Sequence, residues 1–224
     1  MKLLLILIVL LTAAFAQVAE KANSGYKTPE GRETVAKTLT APDRDAKQKP
    51  EELVKAMSLT PGMTVADIGT GAGYMLPFLC RAVGTNGRVL AEDIQDDFLA
   101  KARSKAESEK LGNVTFIKGT ETDPALPPGA VDVALALDSY HHYDYPDKML
   151  AGIAKGLKSG GRLVIVEYYK RPNAMPNGRA MEHIRLDEPD VIKEIEANGF
   201  RLLSQREHIK DSQYMLTFAR KAVR

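Results

Sequence analysis

The chain is short of several things, and each shortage excludes something. It has one cysteine, Cys80, so no intrachain disulfide can form. Cys80 falls on an apolar stretch, where a thiol is read as a small hydrophobe rather than a reactive group. Tryptophan is absent and all aromatics together make up 6% of the chain, with no basic and aromatic patch for nucleic acid. Neither charge sign is in excess, with 31 Lys and Arg against 29 Asp and Glu. Residues 1–16 carry only Lys2, so a form without them has 30 basic and 29 acidic side chains. This near-neutral balance argues against a nucleic-acid partner, which leaves a basic stripe. No internal repeat and no low-complexity tract is present. The histidines show no metal-ligand spacing, so no metal site is expected.

One hydrophobic run stands out. Met1-Lys2 is a positive start, residues 3–11 are an unbroken aliphatic run, and Ala14-Phe15-Ala16 has the small-x-small form that precedes a cleavage point. That is the pattern of a secretory signal peptide, and it predicts an exported chain beginning at Gln17. At well under the roughly 20 residues that a spanning helix needs, the run meets a membrane only as an uncleaved anchor. Lys2 would then still place the domain outside, by the positive-inside rule.

The remaining 44% hydrophobic, 27% charged composition is that of a globular domain able to bury its own core. Residues 17–60 are polar and read as a helical extension. Helices are expected over 29–39 and 50–58, each opening on proline beside acidic residues, which suits a first turn. After Pro61-Gly62 the texture alternates. Strands are expected at 63–68, 88–93, 114–118, 131–137 and 163–168. Helices are expected at 74–83, 96–110, 146–158 (stopped by Gly160-Gly161) and 189–198. Segments 200–205 and 214–219 then form an antiparallel hairpin across Lys210-Asp211-Ser212. Strand and helix alternation implies right-handed crossovers. The fold class is therefore α/β, a doubly wound, mostly parallel sheet with a C-terminal antiparallel hairpin, over residues 61–224. Ligands on such sheets bind at the carboxyl ends of the strands where strand order reverses.

The stretch VADIGTGAGY (65–74) runs from a strand into a helix. Gly69, Gly71 and Gly73 can take positive φ and let a ligand approach the backbone, and the helix start offers unpaired N–H groups. Asp93 closes the second strand, where an acid accepts hydrogen bonds from a ribose diol. The dinucleotide pattern Gly-x-Gly-x-x-Gly fails here, because its last position is Tyr74 or Leu76. Instead Asp67 stands two residues before the first glycine. It would repel a pyrophosphate and attract an ammonium group, such as that of S-adenosylmethionine.

These segments carry a family resemblance. VADIGTGAGY resembles motif I of the class I S-adenosylmethionine-dependent methyltransferases, and GRVLAEDI (87–94) resembles their second motif. GAVDVALALDSYHHY (129–143) is similar to their fourth-strand segment, and LKSGGRLVIVEYY (157–169) to their fifth. The upstream DRDAKQKPEEL (43–53) resembles a segment of one small-molecule subgroup. It has Lys47 in place of an aromatic, which weighs against assigning Gln48 as a cofactor contact. The resemblance implies S-adenosylmethionine as cofactor, with Asp67 and the three glycines on its methionyl part and Asp93 on the ribose. Ile94, Thr120 and Glu121 would lie beside the adenine, where many relatives have an Asp, and Asp138 near the sulfonium.

The methyl group would then point at Asp138-Ser139-Tyr140-His141-His142-Tyr143. A histidine can serve there as a base near neutral pH and a tyrosine can present its ring or oxygen, so Tyr140, His141 and His142 are the candidate catalytic residues. His183, in RAMEHIRLDEP (179–189), is placed on a segment covering the pocket, and His208 on the surface. Little chain is left for a docking domain, which favours a small-molecule acceptor over a protein. Oligomeric state is not set by the sequence. The competing readings are an exported, non-catalytic protein that keeps the fold and the cofactor, and a transferase of another group from a related nucleoside. A nicotinamide dehydrogenase is disfavoured by the loop.

Overall fold

The computed structural model describes residues 17–221. The proposed signal segment, with Lys2, the 3–11 run and Ala14-Phe15-Ala16, lies outside them. Before the sheet come short helices α1 (Glu20–Asn23), α2 (Pro29–Leu39), α3 (Arg44–Gln48) and α4 (Pro50–Ala56). Proline sits in the first turn of α2 and of α4, and Thr28 caps α2 by accepting from the Gly31 N–H, as a helix start requires. The alternating part is β1 (Thr64–Ile68), α5 (Leu76–Val83), β2 (Arg88–Asp93), α6 (Asp96–Ser108), β3 (Val114–Lys118), β4 (Val131–Leu137), α7 (Pro146–Gly156) and β5 (Leu157–Tyr168). It ends with α8 (Ala180–His183), α9 (Glu188–Ala197), β6 (Phe200–Ile209) and β7 (Gln213–Arg220).

The strands form one seven-stranded sheet in the order β3-β2-β1-β4-β5-β7-β6. β1 to β5 are parallel, and β7 runs antiparallel to both β5 and β6. Strand order reverses at β1, which pairs with β2 on one side and β4 on the other. The cleft between the carboxyl ends of β1 and β4 is therefore where a ligand is expected.

Helices cover both faces, and the period of two along the strands sorts the side chains between them. Val133, Leu135 and Leu137 face a core that includes Leu76, Leu79 and Ala102 from α5 and α6. Ala134 and Ala136 face the opposite core, with Leu150, Ile153 and Ile195 from α7 and α9. A strand covered on both sides must be apolar at nearly every position, which is why β4 is legible in the sequence.

Three expectations are corrected. Gly160-Gly161 does not stop α7. The helix ends at Gly156, where a Cβ would meet Leu126 at 2.6 Å, and Leu157 already pairs with Val131. The glycine pair instead fills an irregularity in the β4–β5 ladder before Arg162 pairs with Val133. β6 is longer than the expected 200–205 because an edge strand needs no hydrophobic face to pair. Its exposed middle, Ser204 to Glu207, carries no apolar signal. His208 is buried, with Nε2 2.9 Å from the Gln48 carbonyl oxygen. No helix of the described residues is long and apolar enough to cross a membrane.

Candidate active site

A cavity of about 370 Å³ opens at the carboxyl ends of β1, β2 and β4. Its floor is the loop Gly69-Thr70-Gly71. Gly69, Gly71 and Gly73 all have positive φ, at 76°, 56° and 80°. A Cβ on Gly69 would lie 2.8 Å from the Ser139 Cβ, and one on Gly71 2.8 Å from Leu39 Cδ1. Backbone, not side chain, thus forms the floor.

The loop is tied to the neighbouring strand ends. The Gly69 and Thr70 N–H groups donate to the Glu92 carbonyl, at 2.9 and 2.8 Å. The Gly71 N–H donates to Asp93 Oδ2 at 2.9 Å, and the Ser139 hydroxyl donates to the Ile68 carbonyl at 2.8 Å. The amides expected to face an anionic ligand are therefore largely taken by the chain's own acceptors. A cavity floored this way does not suit a phosphate.

What it suits is a cation. Four carboxyl groups surround the loop, and burial raises the pKa of each. Asp67 and Asp93 are each pushed up to about 6, and Asp138 to about 7, where the Glu167 charge adds to the burial. Glu92 is held well above the usual range by burial, then by the Asp93 charge. Its Oε1 has no partner among the described residues, and Gly119 is glycine because a Cβ there would lie against that oxygen. Asp138 sits at φ 51°, a conformation that costs an L residue energy, and accepts from Gln213 Nε2 at 2.7 Å. Asp93 Oδ1 accepts from the Gln95 N–H at 2.8 Å, which leaves its remaining lone pairs for a ligand.

The predicted residues separate into two groups. Gly69, Gly71, Asp93, Ile94, Thr120, Glu121, Asp138 and His142 line the cavity. Asp67 and Gly73 lie behind its wall: Asp67 is buried and accepts from the Thr70 hydroxyl at 2.7 Å. Tyr140 is not brought to the cavity. Its ring packs in the core and its hydroxyl donates to Glu194 at 2.6 Å, because the short 3₁₀ turn Tyr140–His142 points successive side chains in different directions. His141 is buried beneath the cavity, with Nδ1 2.6 Å from Glu167 Oε2 and Nε2 3.1 Å from His183 Nε2.

Several lining residues escaped the sequence reading. Asn23, Tyr26, Arg32, Leu39 and Arg44 come from the N-terminal extension. Tyr26 packs edge-on against both His142 and Phe98, with ring centroids 4.6 and 6.0 Å away. Arg44 lies over the Tyr74 ring at 3.9 Å, and its charge lowers the pKa of Asp67 and Asp138. Asn23 is oriented by its amide nitrogen, which donates to the His142 carbonyl and to Asp144 Oδ2, so its Oδ1 faces His142 Nδ1 at 2.8 Å. His142 Nδ1 must then carry the proton, leaving Nε2 with a free lone pair. Burial, then the neighbouring His141 and His183, holds the pKa of His142 well below its usual value. The signal in the sequence was Asn23, Tyr26 and Arg44 within an otherwise solvated segment, and nothing local marked them.

The metal expectation rested on spacing along the chain. The structure brings His141, His142 and His183 together, with candidate ligand atoms all within 4.8 Å of one another.

With this geometry in hand, the comparisons are specific. A family model described as a methyltransferase domain matches residues 59–222. The chain belongs to that methyltransferase domain family. A solved S-adenosylmethionine-dependent methyltransferase from Aquifex aeolicus superposes with a TM-score of 0.76 at 29% identity, covering 83% of this chain and 96% of that one. The ubiquinone/menaquinone biosynthesis C-methyltransferase UbiE of Vibrio vulnificus is 31% identical over 111 residues, which are 49% of this chain and 43% of UbiE. An S-adenosyl-L-methionine-dependent Diels-Alderase of Talaromyces variabilis is 30% identical over 135 residues, 59% of this chain and 45% of that protein. The chain spans about half the length of the curated relatives it matches.

Proposed function

We propose that the protein transfers a methyl group from S-adenosylmethionine to a small-molecule acceptor that binds beneath the N-terminal extension. The observation that carries this reading is the ring of carboxyls, three buried and one half-buried, around a glycine floor at the β1/β4 cleft. Asp67, Glu92, Asp93 and Asp138 make a site for a cationic nucleoside, and S-adenosylmethionine carries both a sulfonium and an ammonium charge. The cofactor supplies an electrophilic methyl group on its cationic sulfur.

The chain's own residues do the rest. Asp93 accepts the ribose hydroxyls on the lone pairs that Gly71 and Gln95 leave free. Ile94, Thr120 and Glu121 bound the adenine side. Arg44 faces the methionyl carboxylate while Asp67 stabilises the ammonium end from behind the loop. Asp138 places a carboxyl by the sulfonium. Tyr26 and Phe98 exclude water, and holding acceptor and donor in line supplies most of the acceleration. His142, neutral and with Nε2 free, is the group positioned to take a proton from the acceptor.

Incubating the protein with methyl-labelled S-adenosylmethionine and a metabolite extract tests this. Label should appear in a small molecule, and His142→Ala should lower its rate of appearance more than it lowers S-adenosylhomocysteine affinity. Cofactor binding with no label transferred to any acceptor would instead support a protein that uses the cofactor without methylation, a reading to which the Diels-Alderase relative gives weight. We further infer, from Lys2, the 3–11 run and Ala14-Phe15-Ala16 alone, that the chain is exported and cleaved before Gln17. N-terminal sequencing of the native protein checks that cleavage, and a soluble native chain that keeps Met1 would refute it.

A further inference from the structure

We propose that His141, His142 and His183 form a binding site for one divalent transition-metal ion of the zinc type, with an open coordination position toward the cavity. The first two residues follow β4, and the third comes from α8, in the connection after β5. Ring centroids lie 4.0 Å apart for His141 and His142, 4.8 Å for His141 and His183, and 5.4 Å for His142 and His183. The two Nε2 atoms of His141 and His183 are 3.1 Å apart. A tetrahedral ion with bonds of about 2.0–2.1 Å holds neighbouring nitrogens roughly 3.3 Å apart, so that pair already has the right separation.

The tautomers fit as well. Glu167 accepts three N–H groups on its two oxygens: the His141 N–H and Nδ1 on Oε2, and the Tyr168 N–H on Oε1. His141 Nδ1 therefore donates, and its Nε2 lone pair, which meets His183 Nε2 at 3.1 Å, is freed for an ion once His183 carries its own proton on Nδ1. His142 Nδ1 donates to Asn23 Oδ1, whose orientation is fixed by the two donations from its own amide nitrogen, and its Nε2 is free too. Two imidazoles thus present Nε2 lone pairs, each held by an oxygen acceptor on the far ring nitrogen. That is the arrangement which orients metal-binding histidines, a carboxylate being the strongest such partner.

Charge supports the same occupant. Glu167 is buried against His141, and Asp138 is the neighbouring acid across the cavity wall. A divalent ion held by the three imidazoles offsets both. Three histidines with the fourth position open are the ligand set of catalytic rather than structural zinc. The cavity wall includes His142, so an acceptor oxygen or sulfur entering there can take the open position and pass its proton to solvent water, because His142 Nε2, the base of the metal-free site, is then a ligand. The use of the ion in methyl transfer rests on the function proposed above. The site itself does not.

The test uses the full chain, stripped with a chelator and titrated with Co(II). The expected result is one Co(II) per chain, with the strong visible absorption of tetrahedral coordination, displaced by Zn(II). His183→Ala should abolish that absorption while leaving S-adenosylhomocysteine binding within a few-fold, which also shows that the variant is folded. Glu167→Gln should weaken Co(II) binding about 10–100-fold and provides a second variant. Failure of the stripped protein to take up Co(II) or Zn(II), or equal uptake by His183→Ala, overturns the proposal. Metal uptake without methyl transfer leaves the site standing and removes the proposed reaction. Methyl transfer by metal-free protein does the reverse for the metal's role.

Discussion

Asp93→Asn should make the protein more stable and worse at binding its cofactor. Burial lifts the Asp93 carboxyl from 3.8 to about 6. A carboxyl whose folded pKa is raised favours the folded state below its unfolded value, and that contribution is lost as pH rises through the folded one. Above about pH 6 the ionised Asp93 therefore opposes folding. At roughly 1.4 kcal/mol per unit, a shift from 3.8 to about 6 amounts to about 3 kcal/mol at pH 8. Asparagine, uncharged at all pH and still able to accept from Gly71 or Gln95, removes most of that cost. For a chain of this size each kcal/mol is worth about 2–4 °C, so the variant should melt roughly 5–10 °C higher than the parent at pH 8, with the difference vanishing below about pH 4. Thermal melts across this range measure it. The same substitution replaces an ionised acceptor of ribose hydroxyls by a neutral one. Calorimetry at pH 8 should show S-adenosylhomocysteine affinity down by about tenfold or more, from the loss of at least one charge-assisted bond. A variant that is no more stable at pH 8 than at pH 4 relative to the parent, and that binds as tightly, would refute both the burial argument and the ribose assignment.

Other residues give independent checks. Gly69→Ala forces a side chain into positive φ and against Ser139, so it should abolish calorimetric binding of S-adenosylhomocysteine and lower the melting temperature. Tyr140→Phe, which removes a hydroxyl donated to Glu194, should destabilise the fold by about 1–3 kcal/mol in urea unfolding and leave the rate of label transfer within a few-fold. Arg44→Met should weaken S-adenosylhomocysteine binding by roughly 10–150-fold but leave methylthioadenosine, which lacks the carboxylate, within about threefold. Equal losses for both ligands would move Arg44 from the carboxylate to the packing of the N-terminal extension.

What the sequence made legible follows from physical periodicity. β4 and the second half of β5 (163–168) read correctly because a doubly covered strand must be apolar throughout, whereas 157–162, partly exposed, reads as a helix end. Gly69, Gly71 and Gly73 read correctly because positive φ selects glycine. The place of Asp93 on the cavity wall was legible because it closes a strand beside that loop. The amide floor did not, since only the three-dimensional pairing shows that Glu92 and Asp93 accept the loop's N–H groups. Glu92 was hidden inside a strand, where an acid gives no hint that it turns into a cavity. Tyr140 was assigned to the site because its segment follows β4, yet the 3₁₀ turn that sends His142 to the cavity wall sends Tyr140, two residues earlier, into the core. The extension read as polar because its charged residues face solvent, while Asn23, Tyr26 and Arg44 face inward at intervals too irregular for a helix period. His183 joined His141 and His142 only through tertiary contact, which spacing along the chain does not encode.

The central claim is a cationic nucleoside held at the β1/β4 cleft with its reactive end toward His142. A crystal structure of the chain with S-adenosylhomocysteine tests it most directly. The account predicts the ribose hydroxyls hydrogen-bonded to Asp93, the adenine between Ile94 and Thr120, the carboxylate at Arg44, and the sulfur beside Asp138 on the face that looks to His142. A ligand bound elsewhere, or bound there with its ribose away from Asp93 and its sulfur turned from His142, would contradict it.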